Sequence, residues 1–247
     1  MAGIRAAPDG SADAPLLEER IRSRSASIGV IGLGYVGLPL AVALAEAGYR
    51  VTGIDVDPAR VDAVAGGRSP IQDVSGDRLA AMNRAGRLSA STDYAAVAGQ
   101  DVVFVCVPTP FDAYKTPDLR FVQAAADGIA AHVRAGQLVV LQSTTYPGTT
   151  EEFVLPLLER SGLKAGQDFH LAFSPERIDP GNAKFVVENT PKVVGGMTPA
   201  CREVAVALYA EAIDYVKTPP FTAYQIPTGK FRPAPAGVST GHYKISA

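Results

Sequence analysis

Residues 28–57 read IGVIGLGYVGLPLAVALAEAGYRVTGIDVD, and the order of physical characters along them decides the fold. Residues 28–31 are an apolar, β-branched run, the composition of a strand covered on both faces. Gly32-Leu33-Gly34-Tyr35-Val36-Gly37 follows as a G-x-G-x-x-G turn, then a helical pattern over 37–47 and a second strand candidate at 51–54. That strand ends at an acid, Asp55, 18 residues after Gly37. Strand, glycine turn, helix, strand and acid in this register form the fingerprint of a dinucleotide-binding unit. Gly32 permits the tight turn, Gly34 lets the backbone approach a pyrophosphate, and Gly37 lets the helix pack closely on the strand. The helix N-terminus offers unpaired N–H groups and partial positive charge to phosphates. Asp55 is expected to accept hydrogen bonds from the adenosine ribose hydroxyls, which favours NAD over NADP because a 2′-phosphate would be repelled. The competing account is that the glycines only make a tight turn and Asp55 caps a helix. Arg60 is either a solvated helix-face charge or a group lying over the adenine.

Working outward, apolar β-branched runs alternate with alanine- and leucine-rich segments. Strand candidates lie at 28–31, 51–54, 102–107, 138–142, 170–173 and 192–194, and helical patterns at 37–47, 58–65, 77–85, 119–133, 150–159 and 199–212. This order predicts an α/β fold, a Rossmann-like doubly wound parallel sheet with helices on both faces. Thr149 followed by Glu152 has capping-box spacing and places a helix start just after Gly148. Residues 1–27 read as a tail with a short helix around 16–24 and no apolar core of a secretory signal. Residues 28–217 read as the nucleotide-binding domain. Residues 218–247, with five prolines, scattered glycines and no period, read as an irregular tail.

Of 247 residues, 47% are apolar and 19% charged, enough to bury a core. Twenty-three basic against 25 acidic side chains leave a net charge of −2, so no basic face for a nucleic-acid partner is expected. The uncharged run 28–45 carries three glycines within six residues and Pro39, which fits strand, turn and helix rather than a membrane span. A cytoplasmic protein without membrane contact is expected. Cys106 and Cys201 cannot build a disulfide framework, and His132, His170 and His242 are too scattered for a metal site.

Further blocks carry a family resemblance. Residues 28–57, together with CVPTP at 106–110, QSTTYPGTT at 142–150 and FSPERIDPGN at 173–182, resemble the UDP-glucose/GDP-mannose dehydrogenase family. With SPIQD at 69–73 and NTPKVVGG at 189–196, the later blocks are most similar to the branch oxidising UDP-N-acetylhexosamines. The match runs from about residue 16 to residue 217. It implies NAD-dependent oxidation of the sugar C6 alcohol to a carboxylic acid with two NAD. It also implies dinucleotide contacts from Gly32, Leu33, Gly34, Tyr35, Val36, Gly37, Asp55 and Arg60. Thr109 matches a loop beside the cofactor, and Ser143 and Thr144 match the segment near the nicotinamide. Thr144 matches a hydroxyl that helps hold a catalytic water, and Glu176 an acid that assists oxidation and thioester hydrolysis.

The residues themselves are consistent with those roles. Two predicted strands end just before Ser143 and Glu176, and ligands gather outside the carboxyl ends of a parallel sheet. A carboxylate there can act as a general base, although an ion pair of Glu176 with Arg177 or a neighbour is the plainer account. Thr144 and Thr145 could equally make local hydrogen bonds at a helix start. Cys106, inside an apolar strand, is expected to be inert, and Cys201, opening a helix, somewhat activated.

The family continues past the equivalent of Lys217 into a long helix and a second nucleotide-binding domain. Those parts carry a lysine, an asparagine, the nucleophilic cysteine, most of the UDP-sugar pocket and much of the oligomer interface. Residues 218–247 resemble none of this, and no motif gives Lys217, Lys230 or Lys244 the lysine's role. The expectation is a cofactor domain cut short after about Lys217 by a frameshift or premature end. Such a chain would be deficient in turnover by itself, with a UDP-N-acetylhexosamine site mostly absent and the family's homo-oligomer not carried over. A non-catalytic NAD-binding or partner module and a hydroxy-acid dehydrogenase stay open as alternatives.

Overall fold

The computed structural model describes residues 13–110, 117–176 and 192–212. Residues 178–182, 189–191 and 218–247, on which several of the expectations above fall, lie outside them, as do Arg177, Lys217 and His242. Seven strands form one sheet: β1 (Ser27–Ile31), β2 (Arg50–Ile54), β3 (Leu88–Ser91), β4 (Val102–Val105), β5 (Leu138–Leu141), β6 (His170–Phe173) and β7 (Gly195–Gly196). Their spatial order is β3-β2-β1-β4-β5-β6-β7. The first six run parallel, with registers such as Ile28↔Val51 and Ile28↔Val102.

The strand period of two divides the core. Ile28, Val30, Val102, Phe104, Leu138 and Val140 face one cluster with α2 (Gly37–Glu46) and α7 (Pro199–Ala212). Ile31, Val103, Val105, Val139 and Leu141 face the other with α5 (Arg120–Ala130) and the short α6 (Leu155–Leu158). Both faces of β4 and β5 are therefore buried, which is why those strands read as unbroken apolar runs. On α7, Tyr209 meets Phe104 edge to face, with ring centroids 5.9 Å apart.

Local chemistry fixes the helix starts. Asp57 caps α3 (Pro58–Ala65), accepting from Ala59 N at 3.0 Å with Pro58 in the first turn. Ser75 accepts from Arg78 N at the start of α4 (Gly76–Arg84). Asp93 caps the 3₁₀ turn Tyr94–Gly99 that leads into β4. At the opposite end of the sheet from the strand carboxyl ends, α1 (Asp13–Arg22) is pinned to the domain. Buried Asp101 accepts from Ser27 N and pairs with Arg20 and Arg134, and the Tyr49 hydroxyl donates to Ile21 O at 2.8 Å.

Four expectations need correcting. The strand predicted at 192–194 is displaced to Gly195–Gly196 and runs antiparallel to β6, with Phe173 opposite Gly195. A side chain at Gly196 would collide with the Arg202 backbone, so glycine there lets α7 fold back against the edge strand. Strand β3, Leu-Ser-Ala-Ser at the sheet edge, has no β-branched residue and gave no strand signal. The capping box at Thr149 does not form: the helix start after Gly148 is as expected, but no side chain caps it and the Thr149 hydroxyl donates to Tyr146 O instead. Finally, the helix expected over 150–159 is broken into a wide π turn (Thr149–Val154), α6 and a 3₁₀ turn (Glu159–Ser161). Pro156 has no N–H to return to the carbonyl four residues earlier, which breaks the ladder where the π turn gives way to α6. Among the described residues no helix is long and apolar enough to cross a membrane.

Candidate functional site

The sheet order reverses at β1: the chain goes on from there to β2 on one side and later returns to β4 on the other. A crevice opens at such a switch point, outside the strand carboxyl ends, and the glycine turn sits in it. Its three glycines have different surroundings. Gly32 has φ +92°, and a Cβ there would lie 2.6 Å from Cys106 O, so the turn abuts the end of β4. At Gly37 a side chain would run into the Gly32 carbonyl, which ties the first residue of α2 to the turn. At Gly34 a Cβ would meet nothing within 4 Å, and its φ is not positive. The protein itself therefore has no use for a missing side chain at Gly34, whereas a ligand lying against the backbone does. No side chain caps α2; Leu38 N donates to Gly34 O and Pro39 has no N–H, so what the helix start offers is chiefly its partial positive charge.

Asp55, only 5% exposed, holds the turn from β2. Its Oδ2 accepts from Leu33 N at 2.7 Å and from Arg60 Nη1 at 3.0 Å, and its Oδ1 from Asp57 N at 3.0 Å. A carboxylate has about four acceptor positions, and these bonds use three, leaving one on Oδ1 for a ribose hydroxyl. Arg60 is neither a free surface charge nor an isolated ligand group: it is the counter-ion of Asp55. Beyond this pair a cavity of about 410 Å³ is lined by Gly34, Tyr35, Asp57, Ala59, Arg60, Pro70 and Ile71, within the size range of small-ligand sites. Pro70 and Ile71 belong to the SPIQD block, which sequence reading had singled out without giving it a role. Tyr35, 55% exposed, stands at the cavity mouth. The open face at Gly34, the uncapped helix and the remaining acceptor on Asp55 fit the diphosphate and ribose of NAD.

The other predicted residues gather at the ends of β4, β5 and β6. Thr109 Oγ1 donates to Thr144 O at 2.6 Å, joining the loops after β4 and β5. Ser143 is buried and its hydroxyl donates to Val107 O at 2.7 Å, so it braces the same junction and has no open hydroxyl. Thr144 is exposed. Glu176 lies beyond β6, beside β5: its backbone N donates to Gln142 O at 3.2 Å. Its carboxylate is 4% exposed and meets the fully buried Lys192 ammonium, at 2.7 Å from Oε1 and 2.8 Å from Oε2. Gln142 Nε2 donates to Oε2 at 2.7 Å, and the Tyr209 hydroxyl donates to Gln142 Oε1 at 2.8 Å. Glu176 therefore does have an ion-pair partner, but it is Lys192, 16 residues on, rather than an adjacent side chain. Sequence reading missed Lys192, although it stands inside the quoted NTPKVVGG block.

The two cysteines behave differently. Burial pushes the Cys106 thiol well up, the Glu176 charge adds to this, and Lys192 only partly opposes it; the side chain is inert, as expected. For Cys201 burial also raises the thiol, but hydrogen bonds from His170, Thr198 and the Leu171 and Thr198 backbone outweigh it and bring it to about 7. Cys201 is nonetheless fully buried. Among the described residues no group of three or more His, Cys, Asp or Glu could hold a metal ion.

Comparison with known proteins adds a lineage to this geometry. Residues 26–213 match the model of the UDP-glucose/GDP-mannose dehydrogenase family, NAD binding domain. The chain is 38% identical over 187 residues to a UDP-N-acetyl-D-glucosamine 6-dehydrogenase of Pseudomonas aeruginosa, covering 75% of this chain and 43% of that protein. It is 38% identical over 191 residues to a UDP-N-acetyl-D-mannosamine dehydrogenase of Yersinia pestis, covering 74% and 45%. Among solved structures, an NDP-N-acetyl-D-galactosaminuronic acid dehydrogenase from Methanosarcina mazei superposes with a TM-score of 0.71 at 31% identity, over 80% of this chain and 44% of that one. The chain spans less than half the length of these relatives.

Proposed function

The chain belongs to the UDP-glucose/GDP-mannose dehydrogenase family, as its NAD-binding domain, and from that premise we propose that it serves a nucleotide-sugar 6-dehydrogenase acting on a UDP-N-acetylhexosamine. The observation that carries the cofactor half of this reading is the contrast at the glycine turn. Two glycines are packed against protein while Gly34 faces open space beside an uncapped helix. The substrate half is supported by the relatives, named for UDP-N-acetylglucosamine and UDP-N-acetylmannosamine. A cytoplasmic location and a UDP-sugar partner go with this reading.

When bound, NAD supplies the acceptor for the hydride that leaves the sugar C6, once for alcohol to aldehyde and once more on the way to the acid. The chain's own residues hold and orient. Gly32–Gly37 and the start of α2 receive the diphosphate, Asp55 takes a ribose hydroxyl, and Arg60 with Pro70 and Ile71 borders the adenosine side. Thr109 and Ser143 fix the loops after β4 and β5 that border the nicotinamide end. Thr144 offers its hydroxyl there, and Glu176 is the nearby carboxylate able to take a proton as alcohol or water is activated. The test is calorimetric titration of the full chain with NAD, followed by an assay for NADH with UDP-N-acetylglucosamine. Saturable binding supports the cofactor role, and NADH formation extends it to the reaction; a hydroxy acid oxidised in place of the nucleotide sugar would overturn the substrate assignment.

A further inference from the structure

The first three residues of the SPIQD block form a bracket at the cavity beyond the glycine turn. Ser69 Oγ donates to Ile71 O at 2.8 Å and accepts from Ile71 N at 3.4 Å, so one hydroxyl holds both polar backbone groups of Ile71. Pro70, between them, fixes its own φ and biases Ser69 toward extended backbone, which narrows the conformations open to the bracket. Ile71 is half-buried: it packs on the core cluster that contains α2, and it also lines the cavity shared with Arg60. Arg60 is in turn held by Asp55 at 3.0 Å. A fixed guanidinium and a fixed apolar side chain lining one cavity suit a flat heteroaromatic ring, which stacks on the first and lies against the second. We propose that Ser69 is a positioning residue for the base of the dinucleotide: through Ile71 it sets the apolar surface that a purine lies against beside Arg60.

This deepens the NAD-binding role and rests on it. The fold does not need the Ser69 hydroxyl to fasten the segment between α3 and α4. Where the segment leaves α3, Arg68 N donates to Ala63 O at 2.8 Å and Asn83 Nδ2 donates to Val64 O at 2.7 Å. Where it enters α4, Val74 is buried and Ser75 caps the helix. The Ser69 bonds act between those anchors, on a residue that lines the cavity. Their effect falls on where Ile71 stands.

The test titrates the full chain with NAD and with nicotinamide cytosine dinucleotide, whose single-ring base offers less surface to Ile71. Wild type is compared with Ser69→Ala, Ser69→Thr, Ile71→Ala and the double variant S69A/I71A. Ser69→Ala should weaken NAD about 3- to 10-fold, the loss expected from one neutral hydrogen bond, and leave the cytosine dinucleotide unchanged. Ser69→Thr, which keeps a hydroxyl, should restore NAD affinity. In the Ile71→Ala background Ser69→Ala should add no further loss, because the hydroxyl acts through that side chain. A role confined to holding the loop together would weaken both dinucleotides by the same factor, and that result overturns the proposal. So does an unchanged NAD affinity in Ser69→Ala, or a full additional loss on top of Ile71→Ala. If Ile71→Ala does not fold, the two Ser69 variants with the two dinucleotides decide. A folded wild type that binds neither dinucleotide removes the NAD-binding role and this proposal with it. A wild type that binds NAD, with Ser69→Ala losing both ligands equally, removes the proposal alone.

Discussion

Replacing Gly34 by alanine separates a glycine kept for a ligand from one kept for the fold. The added methyl meets no protein atom within 4 Å, and the backbone is not in the left-handed region, so neither clash nor strain results. Alanine also restricts the unfolded chain, which is worth about 0.4–1 kcal/mol in favour of the native state, or a melting temperature unchanged to raised by about 1–4 °C for a domain of this size. Binding is a different matter. The methyl projects into the space that the diphosphate needs and pushes it away from the N–H groups of the turn. Losing one hydrogen bond to a charged group costs about 1.5–3 kcal/mol, so the NAD dissociation constant should rise about 10- to 150-fold. Calorimetry gives the affinity and a circular-dichroism melt the stability. Gly37→Ala is the control: its methyl would run into the Gly32 carbonyl, and overpacking of this kind should cost about 1–3 kcal/mol or more of stability. A folded Gly34→Ala variant that binds NAD as tightly as wild type would refute the assignment of the turn to the diphosphate.

Two further outcomes follow from particular contacts. Asp55→Ala should weaken NAD by about 1–3 kcal/mol, narrow the preference over NADP, and lower stability because Leu33 and Asp57 lose the acceptor of their N–H groups; unchanged NAD affinity would remove Asp55 from the ribose site. The Tyr49 phenol is pushed up to about 12, by burial first and then by Glu211, against the opposing Arg24. With the folded value above the unfolded one near 10, the native state holds its proton longer, so that stability is complete below about pH 10 and is lost as pH rises toward 12. Tyr49→Phe, which also gives up the bond to Ile21 O, should flatten this alkaline loss in melts recorded across that range; an identical alkaline slope would contradict it.

The central strands and the glycine turn were legible because burial on both faces leaves a continuous apolar run, and because a turn pressed against β4 tolerates only glycine at Gly32. The same logic explains what was missed. Strand β3 is a short edge whose Leu-Ser-Ala-Ser sequence carries little strand preference, and it exists because β2 offers it a partner. The antiparallel direction of β7 and the Glu176–Lys192 pair are tertiary facts: residues 16 positions apart meet only after β6, β7 and α7 have packed, and no local period encodes that meeting. The capping box at Thr149 failed because the N-cap position falls on Gly148, which has no side chain to accept from the first turn, and Thr149 is already inside it. At the candidate site, sequence spacing singled out the turn and Asp55 and left Arg60 between a solvated charge and a group over the adenine. It could not tell that Arg60 already neutralises Asp55 or that the Ser143 hydroxyl is spent on Val107 O.

Parallel calorimetric titrations of the purified, folded chain with NAD and NADP test the central claim most directly. Saturable binding of NAD at one site per chain, with NADP held more weakly, is the predicted result. A folded chain that releases or absorbs no heat with either dinucleotide, and whose melting temperature neither one shifts, would contradict it.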